Sequence, residues 1–278
     1  MLQTNLPTLT FLPTGMLLIH ELHDDQRTRP LILRIRSTGL LRNPPIVSPL
    51  QDGSGRYMVL DGANRTTALR EMGFPHVLVQ VVQPDDPGLS LHNWSHVVWE
   101  LNPSRFLTGL REIPQIHLVP ADDATEPSLE GDCGLALIKT CKGHTYAACT
   151  PVKELETRAA LLRALVDSYK DRARLDRTNT RDVQLLAEIY PLLSGLVVFP
   201  QFRIQDLLCL VGQGHMLPAG ITRFTISPRA LHVNYPLSEL AADKPLDEKN
   251  EALHQWLQER LARKAVRYYA EATILFDE

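Results

Sequence analysis

Between Met16 and Val82, short apolar runs and turn-forming residues alternate at a spacing that admits few folds. Met16–His20 reads as a short strand. Pro30–Ser37 reads as a helix, with Pro30 tolerated in its first turn and Gly39 just past its end. Asn43-Pro44-Pro45 breaks the chain, and Ile46–Val47 opens a strand. Asp52-Gly53-Ser54-Gly55 is a hairpin signal, so Arg56–Leu60 is the returning strand. Asp61–Asn64 is a tight turn, Arg65–Met72 a short helix closed by Gly73, and His76–Val82 a further strand. The expected order over residues 1–85 is β-α-β-β-α-β.

Beyond the Pro84–Gly88 loop the pattern changes, and residues 86–278 are expected to form a second, mixed α/β domain. A helix is expected to open the stretch Ser90–Arg105, which carries Trp94 and Trp99. Pro120–Gly134 is a polar loop, and Leu135–Thr140 with Thr145–Ala148 reads as a hairpin. Pro151–Tyr190 reads as mainly helical, Phe202–Val211 as helix and Gly220–Leu237 as extended. Asp247–Val266 has the period of an amphipathic helix, and Tyr268–Phe276 reads as a final strand. The fold class is therefore α+β.

Composition narrows the function classes. With 44% hydrophobic and 22% charged residues in 278, the chain reads as a globular protein with a sizeable core. Its longest apolar runs, Gly195–Pro200 and Leu207–Val211, are too short to cross a bilayer, and Met1–Pro13 lacks signal-peptide features. A net charge of -3 argues against a dedicated nucleic-acid binder. Cys133, Cys141, Cys149 and Cys209 form no C-x-x-C pair; they read as unpaired core or loop cysteines of a reducing, cytoplasmic compartment. His20 and His23 flank Glu21 without a third ligand, a poor metal site. Arg27, Arg29, Arg34, Arg36 and Arg42 are either a solvated helix face or a surface for nucleotide phosphates. Lys170, Arg172, Arg174, Arg177 and Arg181 alternate with Asp167, Asp171, Asp176 and Asp182, the pattern of a salt-laced helix surface.

The chemistry-bearing segment is Asp61-Gly62-Ala63-Asn64-Arg65-Thr66-Thr67, between a strand and a helix. The first N–H groups of a helix lack partners and sit in the positive end of its dipole. Gly62 permits the turn, Ala63 leaves room, and Asn64, Arg65 and Thr66 add donors, which together suit a phosphate. The same residues also suit a plain helix cap with Arg65 in solvent.

His20-Glu21-Leu22, Arg27, Leu31, Ile35, Gly39–Val47 and Tyr57–Gly73 together resemble the ParB/sulfiredoxin superfamily domain over about residues 14–83. Sulfiredoxins carry a reactive cysteine in this turn; this chain has Ala63. ParB proteins carry a Glu-Arg-Arg loop; this chain has Ala63-Asn64-Arg65. The free L-serine kinase branch, with archaeal and siderophore-pathway members, is more similar. Its C-terminal substrate-binding stretch resembles Gly220–Phe224 and Leu231–Leu237. The resemblance implies phosphoryl transfer from ATP or ADP, with Mg²⁺, to the hydroxyl of L-serine. It also implies a role in cysteine or siderophore biosynthesis.

On that resemblance Glu21 is the acceptor of the hydroxyl proton, Asp61 holds Mg²⁺ or orients the hydroxyl, and Gly62–Thr66 cradle the phosphates. Trp94, Thr222, Arg223 and Phe224 form the serine pocket, with Thr222 and Arg223 on its carboxylate. From the residues alone, Glu21 also suits a surface carboxylate, Asp61 an Asx turn, Trp94 core packing, and Thr222–Arg223 a strand edge. Asn64 stands where the serine kinases carry histidine, and Phe224 where they carry a polar residue. The alternative is a ParB-like nucleotide-dependent DNA-binding regulator, with a helix-turn-helix within residues 151–215.

Overall fold

The computed structural model describes residues 6–22, 25–122 and 125–269, and side chains within the first helix from Thr28 onward. The chain opens with β1 (Thr8–Pro13), a 3₁₀ turn (Thr14–Met16), β2 (Leu17–Ile19), α1 (Asp25–Thr38) and β3 (Leu40–Leu41). It continues with β4 (Ile46–Pro49), β5 (Tyr57–Asp61), α2 (Ala63–Glu71) and β6 (His76–Val81). Five of these strands form one sheet in the order β1-β6-β4-β5-β2. β4 and β5 are the expected hairpin, while β2 runs parallel to β5. The β-α-β-β-α-β order holds, with β1 added at the edge antiparallel to β6.

Both faces of β5 pack against a core, so the strand is apolar from Met58 to Leu60. Met58 and Leu60 face one core with Val98, Leu207 and Leu217; Val59 faces another with Phe11, Tyr235 and Leu253. Full burial of each such side chain contributes about 1.5–3 kcal/mol.

The remaining elements are β7 (Leu89–Asn93), β8 (Ser95–Trp99), α3 (Pro103–Arg111), β9 (His117–Pro120), β10 (Cys133–Thr140) and β11 (Thr145–Cys149). Then follow α4 (Leu155–Lys170), β12 (Arg174–Thr178), α5 (Val183–Ile189), β13 (Leu193–Val198), α6 (Ile204–Gly212) and β14 (Thr222–Ile226). The described chain closes with β15 (Tyr235–Pro236), α7 (Leu237–Ala241) and α8 (Leu246–Ala262). A second sheet has the order β12-β8-β13-β10-β11-β9, while β14 pairs with β7 and β15 with β3. Leu162, Leu165 and Tyr169 of α4 pack with Phe106, Leu110 and Phe199. The fold is α+β, as the sequence implied.

Several expectations are corrected. Ser90–Arg105 opens as strands β7, buried at alternating positions, and β8, buried continuously from Ser95 to Val98, and the helix starts only at Pro103. Asn102 caps it, accepting from the N–H groups of Ser104 (2.9 Å) and Arg105 (3.4 Å). Strands β12 and β13 interrupt residues 151–215, so that stretch holds no helix-turn-helix. Arg174 and Arg177 lie on the edge strand β12, not on a helix face. Cys133 and Cys149 are cross-strand partners on β10 and β11 and are joined as a disulfide, so the cysteines no longer argue for a reducing compartment. Cys141 and Cys209 are free thiols. Tyr268 and Tyr269 carry no regular structure, and the rest of the expected final strand lies outside the described residues, as does His23.

Candidate functional site

β2 and β5 run parallel, with Ile19 paired to Val59. Glu21 and Asp61 each lie two residues past that pair, at the same end of neighbouring strands. Carboxyl ends of parallel strands are where α/β sheets hold ligands. Gly62 then turns the chain with φ at +93° and caps α2. An added Cβ there would stand 3.1 Å from Pro45 Cα and 3.2 Å from the Arg65 guanidinium, so the turn needs glycine.

Arg65 does not project into solvent. Its guanidinium donates to Asp61 Oδ2 at 3.1 Å and to the Asn43 carbonyl at 2.7 Å, and burial lowers its pKa to about 10. Ala63 and Asn64 form the partly exposed first turn. Thr66 lies beneath it, fully buried; its N–H donates to the Gly62 carbonyl, and its hydroxyl has no partner among the described residues.

Glu21 is clasped by a distant segment. Its Oε1 accepts the N–H of Ile221 (3.1 Å), the N–H of Thr222 (2.6 Å) and the Thr222 hydroxyl (2.5 Å). Its Oε2 accepts the Gly220 N–H at 2.6 Å. His20 completes the group: Nδ1 donates to the Val59 carbonyl at 2.7 Å, and Nε2 meets the Thr222 hydroxyl at 2.7 Å. The backbone brings these segments together, since Leu217 donates to the His20 carbonyl and Leu22 to the Leu217 carbonyl. Successive residues of β14 face opposite ways, so Thr222 and Phe224 share the Glu21 side. The Phe224 ring meets the His20 ring edge-on, with centroids 5.4 Å apart.

Arg223 therefore projects away from Glu21. Its guanidinium lies 4.7 Å above the Trp94 ring and lines a cavity of about 240 Å³ with His92, Asn179 and Arg181. The structure thus brings together Glu21, Thr222 and Phe224, and separately Trp94 and Arg223. A larger cavity, about 400 Å³, is lined by Leu17–Ile19, Arg56, Arg70 and Gly214–Met216 and touches none of these site residues.

Sequence reasoning gave Gly220 no role of its own within the Gly220–Phe224 stretch and missed His96, Tyr169 and Arg229. Gly220 presents its N–H to Glu21 at φ +77°, and an added Cβ would lie 2.3 Å from Arg177. Buried His96 donates from Nε2 to the Gly220 carbonyl (3.1 Å), and its Nδ1 accepts from the Tyr169 hydroxyl (3.1 Å). Burial holds His96 neutral, with a pKa of about 4. Arg229 reaches Asp61 from beyond β14. None of these is marked by local spacing; each depends on pairing across more than 70 residues.

No family model matches the chain. It is 26% identical to the ATP-dependent L-serine kinase SbnI of Staphylococcus aureus over 273 residues, 97% of each chain. The structure of SbnI from Staphylococcus aureus with a C-terminal truncation superposes with a TM-score of 0.73 at 24% identity, over 91% of this chain and 97% of that one. A free serine kinase in complex with AMP gives a TM-score of 0.67 at 13% identity, over 86% and 97%. The resemblance read from the sequence thus extends to the whole chain, which shares the fold of these serine kinase structures.

Proposed function

We propose that the protein is a kinase that transfers a phosphoryl group from ATP or ADP to the hydroxyl of free L-serine, giving O-phospho-L-serine. The observation that carries this is the placement of Glu21 and Asp61 at one end of neighbouring parallel strands, with the Gly62 turn and α2 beside them. Similarity along the whole length of SbnI supports it. Phosphoryl transfer needs positioned phosphates, charge neutralisation and an acceptor for the hydroxyl proton. The α2 N-terminus and Arg65 supply the first two. Glu21 takes the proton: three donors fix Oε1, and Oε2, with one hydrogen bond, faces the substrate hydroxyl. Thr222 orients Glu21 and, with Phe224, shapes the acceptor side, while Trp94 and Arg223 stay together on the opposite face of β14, away from the serine hydroxyl.

A magnesium ion suits the donor set at the turn. Asp61 is a single carboxylate with its side chain 37% exposed, and Mg²⁺ usually takes one or two protein carboxylates with water and phosphate oxygens. Bound there, it would neutralise phosphate charge. We assign residues 1–85 to nucleotide binding and 86–278 to the acceptor. Among the described residues no helix is long and apolar enough to cross a membrane. We place the activity in the cytoplasm, where nucleotide and free serine coexist, feeding cysteine or siderophore biosynthesis.

The test is conversion of isotope-labelled L-serine to phosphoserine by the purified protein, read by mass spectrometry. Threonine and glycerol serve as alternative acceptors. Glu21→Gln should lower kcat by about 10²-fold or more while the protein stays folded. An unchanged rate would remove Glu21 from the chemistry.

A further inference from the structure

Asp61 faces more positive charge than it neutralises. Its Oδ2 accepts from the guanidinium of Arg65 and from that of Arg229. These two cations and one carboxylate stand at the N-terminus of α2, whose first turn contains no acidic residue. The surplus charge adds to the positive end of the helix dipole.

Arg229 is delivered there by a built clasp. Gln80 on β6 is 2% exposed, and its side-chain amide grips the residues on either side of Arg229. It donates to the Pro228 carbonyl and accepts the Ala230 N–H, both at 2.9 Å. Asn43 Oδ1 accepts the His232 N–H at 2.8 Å, while the Asn43 carbonyl accepts from Arg65. The segment after β14 is thus stitched to the same loop that anchors the phosphate turn. The Arg229 and Asp61 side chains are each 37% exposed, so their contact is open to an incoming ligand.

We infer that Arg229 is a second phosphate-binding cation of the nucleotide site, held ready by Asp61 and transferred to a phosphate oxygen when a nucleoside di- or triphosphate binds. This rests on the nucleotide-binding role proposed for the turn. A guanidinium fork matches paired phosphate oxygens, and a diphosphate offers more negative charge than one carboxylate. The exchange leaves Asp61 Oδ2 with Arg65 alone. It also ties the nucleotide to the chain segment that follows Thr222, so the donor and acceptor sides are ordered together.

The experiment is calorimetric binding of ADP to the full chain, without serine and with a chelator present. Wild type is compared with Arg229→Gln, Arg229→Lys and Asp61→Asn. Arg229→Gln is expected to bind ADP about tenfold more weakly, and Arg229→Lys to fall between. Asp61→Asn is expected to bind ADP more tightly than wild type, because both guanidinium groups are released. Unchanged affinity in Arg229→Gln, with wild type binding ADP, would overturn the role of Arg229 and leave the nucleotide site standing. No ADP binding by wild type would overturn the nucleotide site itself. If Arg229→Gln fails to fold, Asp61→Asn decides: affinity unchanged or reduced overturns the inference.

Discussion

Glu21 Oε1 lies 2.5 Å from the Thr222 hydroxyl and 2.6 Å from the Thr222 backbone nitrogen, across 201 residues of chain. A glutamate just past β2 is therefore oriented by a strand that forms far later in the sequence. The site exists only when both parts of the chain have folded, and neither segment carries it alone.

Thr222→Val removes the hydroxyl with little change of shape. Glu21 loses one of its donors, and buried His20 loses its Nε2 partner. A buried polar group left unpaired costs about 1–3 kcal/mol. Unfolding free energy should fall by about that amount, and kcat/KM for serine by about tenfold; Thr222→Ser should restore most of both. Denaturant titration and steady-state kinetics measure the two effects. Wild-type values for the valine variant would contradict the role of the hydroxyl.

Gly220 adopts φ +77°, and any Cβ would enter the Arg177 guanidinium. Gly220→Ala should cost about 1–2 kcal/mol from backbone strain alone. It should also lower activity, because the displaced N–H is one of the donors to Glu21. Adding Arg177→Ala should relieve the clash but not the strain, so the double variant should recover only part of the stability. Thermal melts of the three variants test this; full recovery would show that strain at Gly220 is negligible.

His96 supports Gly220 in its neutral form. Its folded pKa of about 4 lies below the ordinary value of about 6.5, so the unfolded chain binds the proton more readily between these values. Its stabilising contribution is complete above about pH 6.5 and is lost as pH falls toward 4. The loss amounts to about 3 kcal/mol. Stability measured from pH 7 to 4 should fall more steeply in wild type than in His96→Gln. Parallel curves would contradict the assignment.

The turn signals made the first unit legible. Asp52–Gly55, Gly39 and Gly73 mark its hairpin and helix ends, and the observed elements follow them. β1 escaped because Thr8–Pro13 ends in proline and its pairing with β6 is remote in sequence. β7 escaped because its alternation spans only Leu89–His92, and β8 because it is buried at consecutive positions and shows no period of two. Thr222 and Arg223 were read as one pair, yet neighbours on a strand face opposite sides. Resemblance located Glu21 and Asp61, but nothing local in the sequence marks His96 or Arg229. Their roles come from contacts made across 124 and 168 residues.

The most direct measurement is ³¹P NMR of the purified protein with Mg²⁺, L-serine and either ATP or ADP. A new phosphomonoester resonance is expected that requires L-serine, grows with loss of the donor's terminal phosphate signal, and is absent with Glu21→Gln. The donor that supports it identifies the physiological nucleotide. Nucleotide bound by the protein, with no phosphomonoester formed from L-serine and either donor, would contradict the kinase.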